Sequence, residues 1–286
     1  MTTPSFLEII QSGRRLVSDG ATGSNLIARG LPQGITAENW VLDQPDQIIH
    51  LHQEFIAAGA DIILTSTFGA TPLRLEASSL AGRAAEVNRR AVELARQAIG
   101  DQPVWVAGSL GPVGGLLKPY GPLEPAAVMA AYSEQARALA DAGADLLAIE
   151  TQFDLTEAKA AVQGVRQVTS LPLVCSFSYD RGRRTMMGVS PTQAARQLAD
   201  LGVDVLGINC GRSLDENLQN LVELRQATNR PIGFKPNAGL PKVDEQGRTA
   251  YSTTPTDMGA QVPAWLQAGA QIVGGCCGTS PEHLAH

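Results

Sequence analysis

Four segments of the chain share one pattern, in which a helix-like stretch ends at a glycine and an apolar run follows. They lie at residues 58–64, 142–148, 201–207 and 268–274. Glycine suits the left-handed backbone that ends many helices, and consecutive apolar residues suit a strand that is buried on both faces. The repeat therefore predicts a unit of helix, glycine stop and buried strand.

Four further apolar runs complete a series of eight predicted strands. These runs lie at residues 16–18, 104–107, 173–177 and 232–235. Between the runs lie amphipathic stretches such as residues 46–58, where apolar side chains recur at helical spacing. Helix starts are predicted at Asp154 and Ser190, because each offers a side-chain cap and has an acid or amide three residues later.

Eight alternating units favour an α/β fold of the (β/α)8 TIM barrel type, formed as a single domain over residues 1–286. Barrels of this kind commonly contain about 250 residues. An open, doubly wound sheet is the alternative, although the repeat gives no sign of a reversal in strand order.

The composition narrows the classes of function. No stretch approaches the roughly 20 apolar residues of a membrane span, and the N-terminus lacks a basic region followed by an apolar one. A formal net charge of −6 without an apparent basic patch disfavours nucleic acid as a partner. Four cysteines do not resemble a disulfide framework in a chain of this length. We therefore expect a cytoplasmic protein with reduced thiols.

Polar residues collect at the predicted C-terminal ends of the strands, where the active sites of such barrels lie. Adjacent Cys276 and Cys277, together with Cys210 from a second strand, offer three corners of a zinc tetrahedron. Catalytic zinc sites keep one position free of protein ligands, whereas structural sites are closed by four. The pattern predicts a catalytic site, with Asn237 facing the same ion; core packing and a closed structural zinc are the alternatives. The other polar strand-end residues are Asp19, Thr65, Ser66, Thr67, Ser109, Glu150, Ser178, Asn209 and Lys235.

Histidine is informative by its scarcity. None of the four histidines lies at a predicted strand end, which argues against a Ser-His-Asp hydrolase and a histidine-rich zinc site. Three thiolates make zinc a poor activator of water, but coordination would ionise an added thiol whose free pKa is about 8.5. The pattern thus indicates thiolate chemistry.

Six motifs resemble those of the homocysteine S-methyltransferase family and together span nearly the whole chain. The resemblance implies a zinc barrel that transfers a methyl group to the thiol of homocysteine and forms methionine. It implies zinc ligands at Cys210, Cys276 and Cys277, and recognition of the substrate ammonium by Asp19 and Glu150. The motifs lie at residues 18–23, 65–70, 149–154, 207–210, 236–241 and 274–279.

Two further residues of these motifs, Thr67 and Asn237, are expected to contribute to substrate binding. The segments that contain them, residues 65–70 and 236–241, are most similar to the homocysteine module of cobalamin-dependent methionine synthase. This similarity implies methylcobalamin as the donor, delivered by a corrinoid protein or a separate module, since 286 residues leave no room for a cobalamin domain.

Other methyl donors remain as alternatives. Betaine-dependent members of the family carry aromatic residues that cage a quaternary ammonium, but the matching positions here are Gly69 and Thr151. A small sulfonium donor such as S-methylmethionine, or a different thiol acceptor, is the second possibility. A non-catalytic zinc-binding or thiol-binding module is the third.

Overall fold

The computed structural model describes residues 5–32, 34–243 and 249–286. Ten strands are formed in this part of the chain. They are β1 (Leu16–Val17), β2 (Ile62–Leu64), β3 (Trp105–Leu110), β4 (Leu146–Gln152), β5 (Leu173–Phe177), β6 (Val205–Cys210), β7 (Ile232–Pro236), β8 (Pro241–Val243), β9 (Thr249–Tyr251) and β10 (Ile272–Val273).

Eight of these strands form one parallel sheet in the order β1-β10-β7-β6-β5-β4-β3-β2. A parallel bridge between Ser18 and Ile62 joins the first strand to the second and closes the sheet. The predicted (β/α)8 barrel is therefore confirmed, and the open sheet is excluded. Strands β8 and β9 form a separate antiparallel hairpin that the sequence did not predict. That residues 1–286 form one domain stays a prediction.

Helices follow the barrel strands and surround them. They are α1 (Phe6–Gln11), α2 (Gly23–Ala28), α3 (Ala37–Asp43), α4 (Pro45–Ala57), α5 (Pro72–Leu75), α6 (Ala84–Ile99), α7 (Pro125–Asp141), α8 (Leu155–Arg166), α9 (Pro191–Leu198), α10 (Leu214–Ala227), α11 (Pro255–Gly259), α12 (Val262–Gln267) and α13 (Pro281–Ala285). Within the described ranges, no helix combines the length and apolar character needed to cross a bilayer.

Local sequence explains where these helices begin and end. Asp154 caps α8 by accepting a hydrogen bond from the Thr156 N–H, and Ser190 forms a capping box with Gln193 at the start of α9. Both helix starts are as predicted. The four repeat glycines all have a positive φ, which glycine adopts at little cost; they are Gly59, Gly143, Gly202 and Gly269.

The hydrophobic core has two layers, one outside the barrel strands and one inside them. The larger layer lies between the strands and the helices and includes Phe234 and Trp265. The smaller fills the barrel interior, where Phe6 and Ile10 of α1 pack among inward strand residues such as Leu146. Among the described residues, α1 therefore lies at the N-terminal end of the barrel, opposite the C-terminal mouth where the polar strand-end residues lie.

Candidate active site

The three cysteines predicted as metal ligands lie together at the mouth of the barrel. Cys210 ends β6, while Cys276 and Cys277 follow β10, and β7 lies between those strands. The Cys210 Sγ atom is 3.5 Å from Cys276 Sγ and 3.9 Å from Cys277 Sγ, and all three atoms lie within 4.8 Å of one another. The fourth cysteine, Cys175, is fully buried in the layer between strands and helices.

A left-handed turn sets the position of Cys210. Its φ is 62°, a conformation that residues other than glycine rarely adopt, and Gly211 follows with φ 85°. The Asn217 side chain on α10 donates a 2.6 Å hydrogen bond to the Cys210 carbonyl. A Cβ at Gly211 would lie 2.4 Å from Asn217 Oδ1, so this position has no room for a side chain. Helix α10 thereby holds the strained turn in place.

A buried threonine fixes the Cys276-Cys277 pair. Thr279 Oγ1 donates to the Cys276 carbonyl at 2.7 Å and accepts the Ala21 N–H at 3.1 Å. A Cβ at Gly275 would lie 2.2 Å from the same oxygen. The pair is therefore tied to the loop after β1, and the glycine before it allows the close approach.

The β8–β9 hairpin covers the other side of this turn. The Tyr251 ring lies so close to Gly278 that a Cβ there would be 2.2 Å from the ring Cγ. Burial, followed by the charges of the three cysteines, raises the pKa of the Tyr251 phenol to about 12. Tyr251 is thus neutral at physiological pH beside the sulfur cluster.

Asn209 connects the sulfur cluster to two other strands. Its Oδ1 accepts hydrogen bonds from the Thr151 N–H at 2.8 Å and the Ser176 hydroxyl at 2.7 Å. Its Nδ2 donates to Thr151 Oγ1 at 2.7 Å and lies 3.7 Å from Cys276 Sγ. Both oxygen contacts fix the amide orientation, so the N–H points to a sulfur that would carry negative charge.

The donor set fits a thiophilic divalent ion. A tetrahedral ion with zinc–sulfur bonds of about 2.3 Å holds its sulfurs about 3.8 Å apart, close to the observed separations. Hydrogen bonds from Cys210 and Cys276 lower the pKa of Cys277, whereas the bonds with its neighbours raise the pKa of Cys210. The three thiols therefore share hydrogen bonds with one another, and a bound cation would favour the ionised form of all three.

Asn237 offers an additional oxygen near the cluster. Its N–H lies 3.4 Å from the Cys210 carbonyl, and its Nδ2 donates to the Gly211 carbonyl at 2.9 Å. Its Oδ1 is buried and has no hydrogen-bond partner among the described residues. The role of Asn237 as a weak metal ligand or a substrate contact stays a prediction.

Asp19 is less available than the sequence suggested. Its Oδ2 accepts the Leu64 N–H at 2.7 Å, and its Oδ1 pairs with Lys235 Nζ at 2.8 Å. The Asp19 side chain is only 2% exposed, compared with 15% for Lys235. Burial alone would lower the pKa of Lys235, but Asp19 and Glu150 together raise it above its usual value. A cation of the chain itself therefore pairs with Asp19, and the predicted role of Asp19 in binding the substrate ammonium stays a prediction.

Glu150 is the more available of the two predicted acids. The Ser109 hydroxyl donates to its Oε1. Burial raises the pKa of Glu150 to about 7, and Cys276 adds to the rise while Lys235 opposes it. Glu150, Lys235 and Asn209 line a cavity of about 40 Å³ inside the barrel, whose other walls are largely apolar. An acid and a cation thus face the same small space.

Thr67 lies in the barrel wall and not in this cavity. It is fully buried, and its hydroxyl donates a 2.7 Å hydrogen bond to the Ser109 carbonyl. The Thr65 hydroxyl oxygen lies 2.7 Å from the Thr67 hydroxyl oxygen. These bonds join the loop after β2 to β3. Its role in substrate binding stays a prediction.

Several of these residues had no role assigned from the sequence. Lys235 carried a signal, because it is the single charged residue in an apolar strand-like run. Asn209 carried a similar one as an amide directly before Cys210. Nothing in the sequence indicated a role for Asn217 or Tyr251. Polar residues on helices and aromatic residues in polar loops are both common in proteins.

Gly69 stands at one of the two positions where betaine-dependent members of the family carry a cage residue. Gly69 donates its N–H to Glu38, and a Cβ at Gly69 would lie 3.0 Å from Glu38 Oε1 and 3.1 Å from Arg74 Nε. The Arg74 guanidinium is 5.3 Å from the Phe68 ring centre and donates to the Pro112 carbonyl at 2.7 Å. Position 69 carries no aromatic side chain, and the side chains of Glu38 and Arg74 lie beside it.

Comparison with known proteins agrees with this geometry. The family model of homocysteine S-methyltransferases matches residues 16–286. Methionine synthases of Mycobacterium tuberculosis and Mycobacterium leprae are each 31% identical to the chain, over 96% and 95% of its length. The chain spans 24% of the length of these two relatives.

A solved structure matches over nearly its whole length. The homocysteine methyltransferase MmuM of Escherichia coli, in its metallated form, has a TM-score of 0.82 and 27% sequence identity. The match covers 97% of this chain and 96% of MmuM. The resemblance inferred from the six motifs is therefore confirmed, and the chain belongs to the homocysteine S-methyltransferase family.

Proposed function

We propose that this chain binds zinc through Cys210, Cys276 and Cys277 and transfers a methyl group to the thiol of homocysteine, forming methionine. The observation that carries the proposal is a cluster of three sulfur atoms within 4.8 Å, placed over a cavity lined by an acid and a cation. A thiol-bearing amino acid matches both parts of this site. The metallated form of MmuM supports a metal in the family fold.

The chain's own residues supply orientation and charge. When bound, zinc would accept the substrate sulfur in its fourth position and keep it ionised near neutral pH. Glu150 would pair with the substrate ammonium and hold the amino-acid end inside the barrel. Asn209 would donate its fixed N–H to Cys276 Sγ, which disperses negative charge on that ligand.

Methylcobalamin, carried by another protein or module, is the proposed donor. The methionine synthases that the chain resembles are about four times its length, which leaves space in them for further modules. The lack of an aromatic side chain at Gly69 and Thr151 argues against a betaine cage. A small sulfonium donor such as S-methylmethionine is the second candidate.

A parallel donor screen tests the proposal. Zinc-loaded protein is incubated with homocysteine and, separately, with methylcobalamin, S-methylmethionine or betaine, and methionine is quantified. We expect methionine with methylcobalamin and none with betaine. Methionine formation with S-methylmethionine as donor, and with neither of the other two donors, would favour the second candidate. Zinc binding without transfer from any donor to any thiol would favour the non-catalytic module.

A further inference from the structure

Lys235 points into the barrel at a depth suited to the amino-acid end of a ligand. Its neighbour Phe234 faces outward, with its ring 5.1 Å from the ring of Trp265. Lys235 is paired with Asn209 across the sheet, and the next residue, Pro236, is paired with Cys210. The Lys235 backbone therefore lies one residue, about 3.3 Å, below the level of Cys210.

The ammonium of Lys235 has one hydrogen-bond acceptor among the described residues, which leaves two of its N–H groups available. Of its three N–H donors, one reaches Asp19 Oδ1 at 2.8 Å, and no second acceptor is within hydrogen-bond distance among the described residues. Asp19 is itself fixed by the Leu64 N–H and is almost fully buried. Lys235 lines the cavity, whereas Asp19 lies outside the cavity lining and fixes the orientation of the Lys235 ammonium.

We propose that Lys235 binds the carboxylate of the substrate amino acid and so determines specificity for α-amino acid thiols. This inference rests on the proposed function and assigns the second half of the substrate. The cavity presents one negative side chain, Glu150, and one positive side chain, Lys235. A zwitterion whose sulfur lies at the cysteines would direct its ammonium and carboxylate deeper into the barrel, where this pair faces it.

A purely structural role for Lys235 makes a different prediction. If Lys235 only neutralises Asp19, its loss should disturb the barrel and weaken the binding of every thiol equally. If it binds the carboxylate, thiols that carry a carboxylate should lose far more affinity than thiols that lack one. Substrate analogues that lack one charged group separate these roles.

The experiment compares two thiols by calorimetry with zinc-loaded protein. Homocysteine carries both charged groups, whereas 3-aminopropane-1-thiol lacks the carboxylate. For Lys235→Met we expect homocysteine affinity to fall by about 10-fold to 100-fold, as for loss of a hydrogen bond to a charged group. Affinity for the aminothiol should fall much less, because it loses only the help that Lys235 gives to the ionised form of Glu150. Lys159→Met on α8, where the lysine contacts Gln197 on the outer helix layer, is the matched control and should leave both affinities unchanged.

Lys235→Met leaves Asp19 buried without its partner, so a second variant is included. The double variant Asp19→Asn with Lys235→Met removes the pair together, and zinc content and thermal unfolding verify its fold. The same selective loss for homocysteine supports the assignment. Equal losses for both thiols, or no loss, would overturn it. Methyl transfer is measured separately, so selective binding without methionine formation would reject the proposed function but not the role of Lys235.

Discussion

At the scale of single residues, the sulfur cluster gives the sharpest prediction. Cys210→Ser, Cys276→Ser and Cys277→Ser should each lose most bound zinc, because three thiolates are the proposed constant protein ligands. Cys175→Ser should retain it, since Cys175 is buried away from the mouth in the helix-facing layer. Metal analysis of purified variants decides the question. Stoichiometric zinc and full activity in any of the first three would contradict the site.

Glu150 gives a prediction about pH. Its pKa is raised to about 7, so the carboxylate that would bind the substrate ammonium is lost as pH falls through that value. Homocysteine affinity should therefore rise between about pH 6 and pH 8. Lys235, Cys276 and Asp19 are the charged or titratable groups that also act on it. Glu150→Gln should keep zinc but weaken binding by about 1.5–3 kcal/mol and remove this part of the pH dependence.

Calorimetry across that pH range provides the measurement and its control. A thiol without an ammonium, 4-sulfanylbutanoate, reports the contribution of thiol ionisation alone. Its affinity should follow the same pH curve in wild type and in Glu150→Gln. A homocysteine curve that is unchanged in the variant would reduce Glu150 to a structural role.

What the sequence could predict about residues depended on the kind of signal. Cys276 and Cys277 were predictable because adjacent thiols after an apolar run have few other uses. The partner of Asp19 was not predictable, since Lys235 lies 216 residues away and meets it only through barrel closure and an inward side chain. The hydrogen bonds that Thr67 forms within the barrel wall were not predictable for the same reason, because Ser109 becomes its neighbour only when β3 pairs with β2.

At the scale of elements, periodicity predicted the strands and helices well where it was continuous. The predicted helix at 46–58 is α4, Pro45–Ala57, while the third strand extends beyond the predicted residues 104–107 to Leu110. That extension contains Gly108 and Ser109, which have no β propensity of their own and are held by neighbouring strands. The β8–β9 hairpin was not predicted because each strand has three residues, which is too short for an alternating pattern to be recognised.

The contact between that hairpin and the cysteine turn is testable by substitution. Gly278→Ala should weaken zinc binding and lower stability, because its Cβ would lie 2.2 Å from the Tyr251 ring and its φ is 81°. Gly188→Ala is the matched control, since Gly188 has φ 82° but a Cβ there would meet no atom within 4 Å. The difference in stability between the two variants measures the effect of the clash with Tyr251, because both substitutions carry a similar backbone strain. Tyr251→Ala should restore part of the zinc affinity in the Gly278→Ala background; no restoration would separate the hairpin from the metal site.

At the scale of the whole molecule, ligand binding should change the metal environment in a countable way. X-ray absorption should show about three sulfur neighbours around zinc in the free protein and about four with homocysteine. Binding should release a proton because the coordinated thiol ionises, and calorimetry in buffers of different ionisation enthalpy measures it. An unchanged sulfur count at saturation, with no proton released, would contradict direct coordination even in an active methyltransferase.

The separation of the cysteines along the chain has a mechanical consequence. Cys210 and Cys276 are 66 residues apart, and the segment between them includes α10, β7, the hairpin and α12. An ion bound at both ends acts as a reversible cross-link, and closing a loop of this length is worth about 4 kcal/mol in chain entropy if the link is permanent. Amide hydrogen exchange should therefore accelerate across residues 211–275 when a chelator removes the metal, while β3 and β4 stay protected. Metal loss would then loosen the last quarter of the barrel, so the proposed ion would both activate the substrate and stabilise the closed barrel.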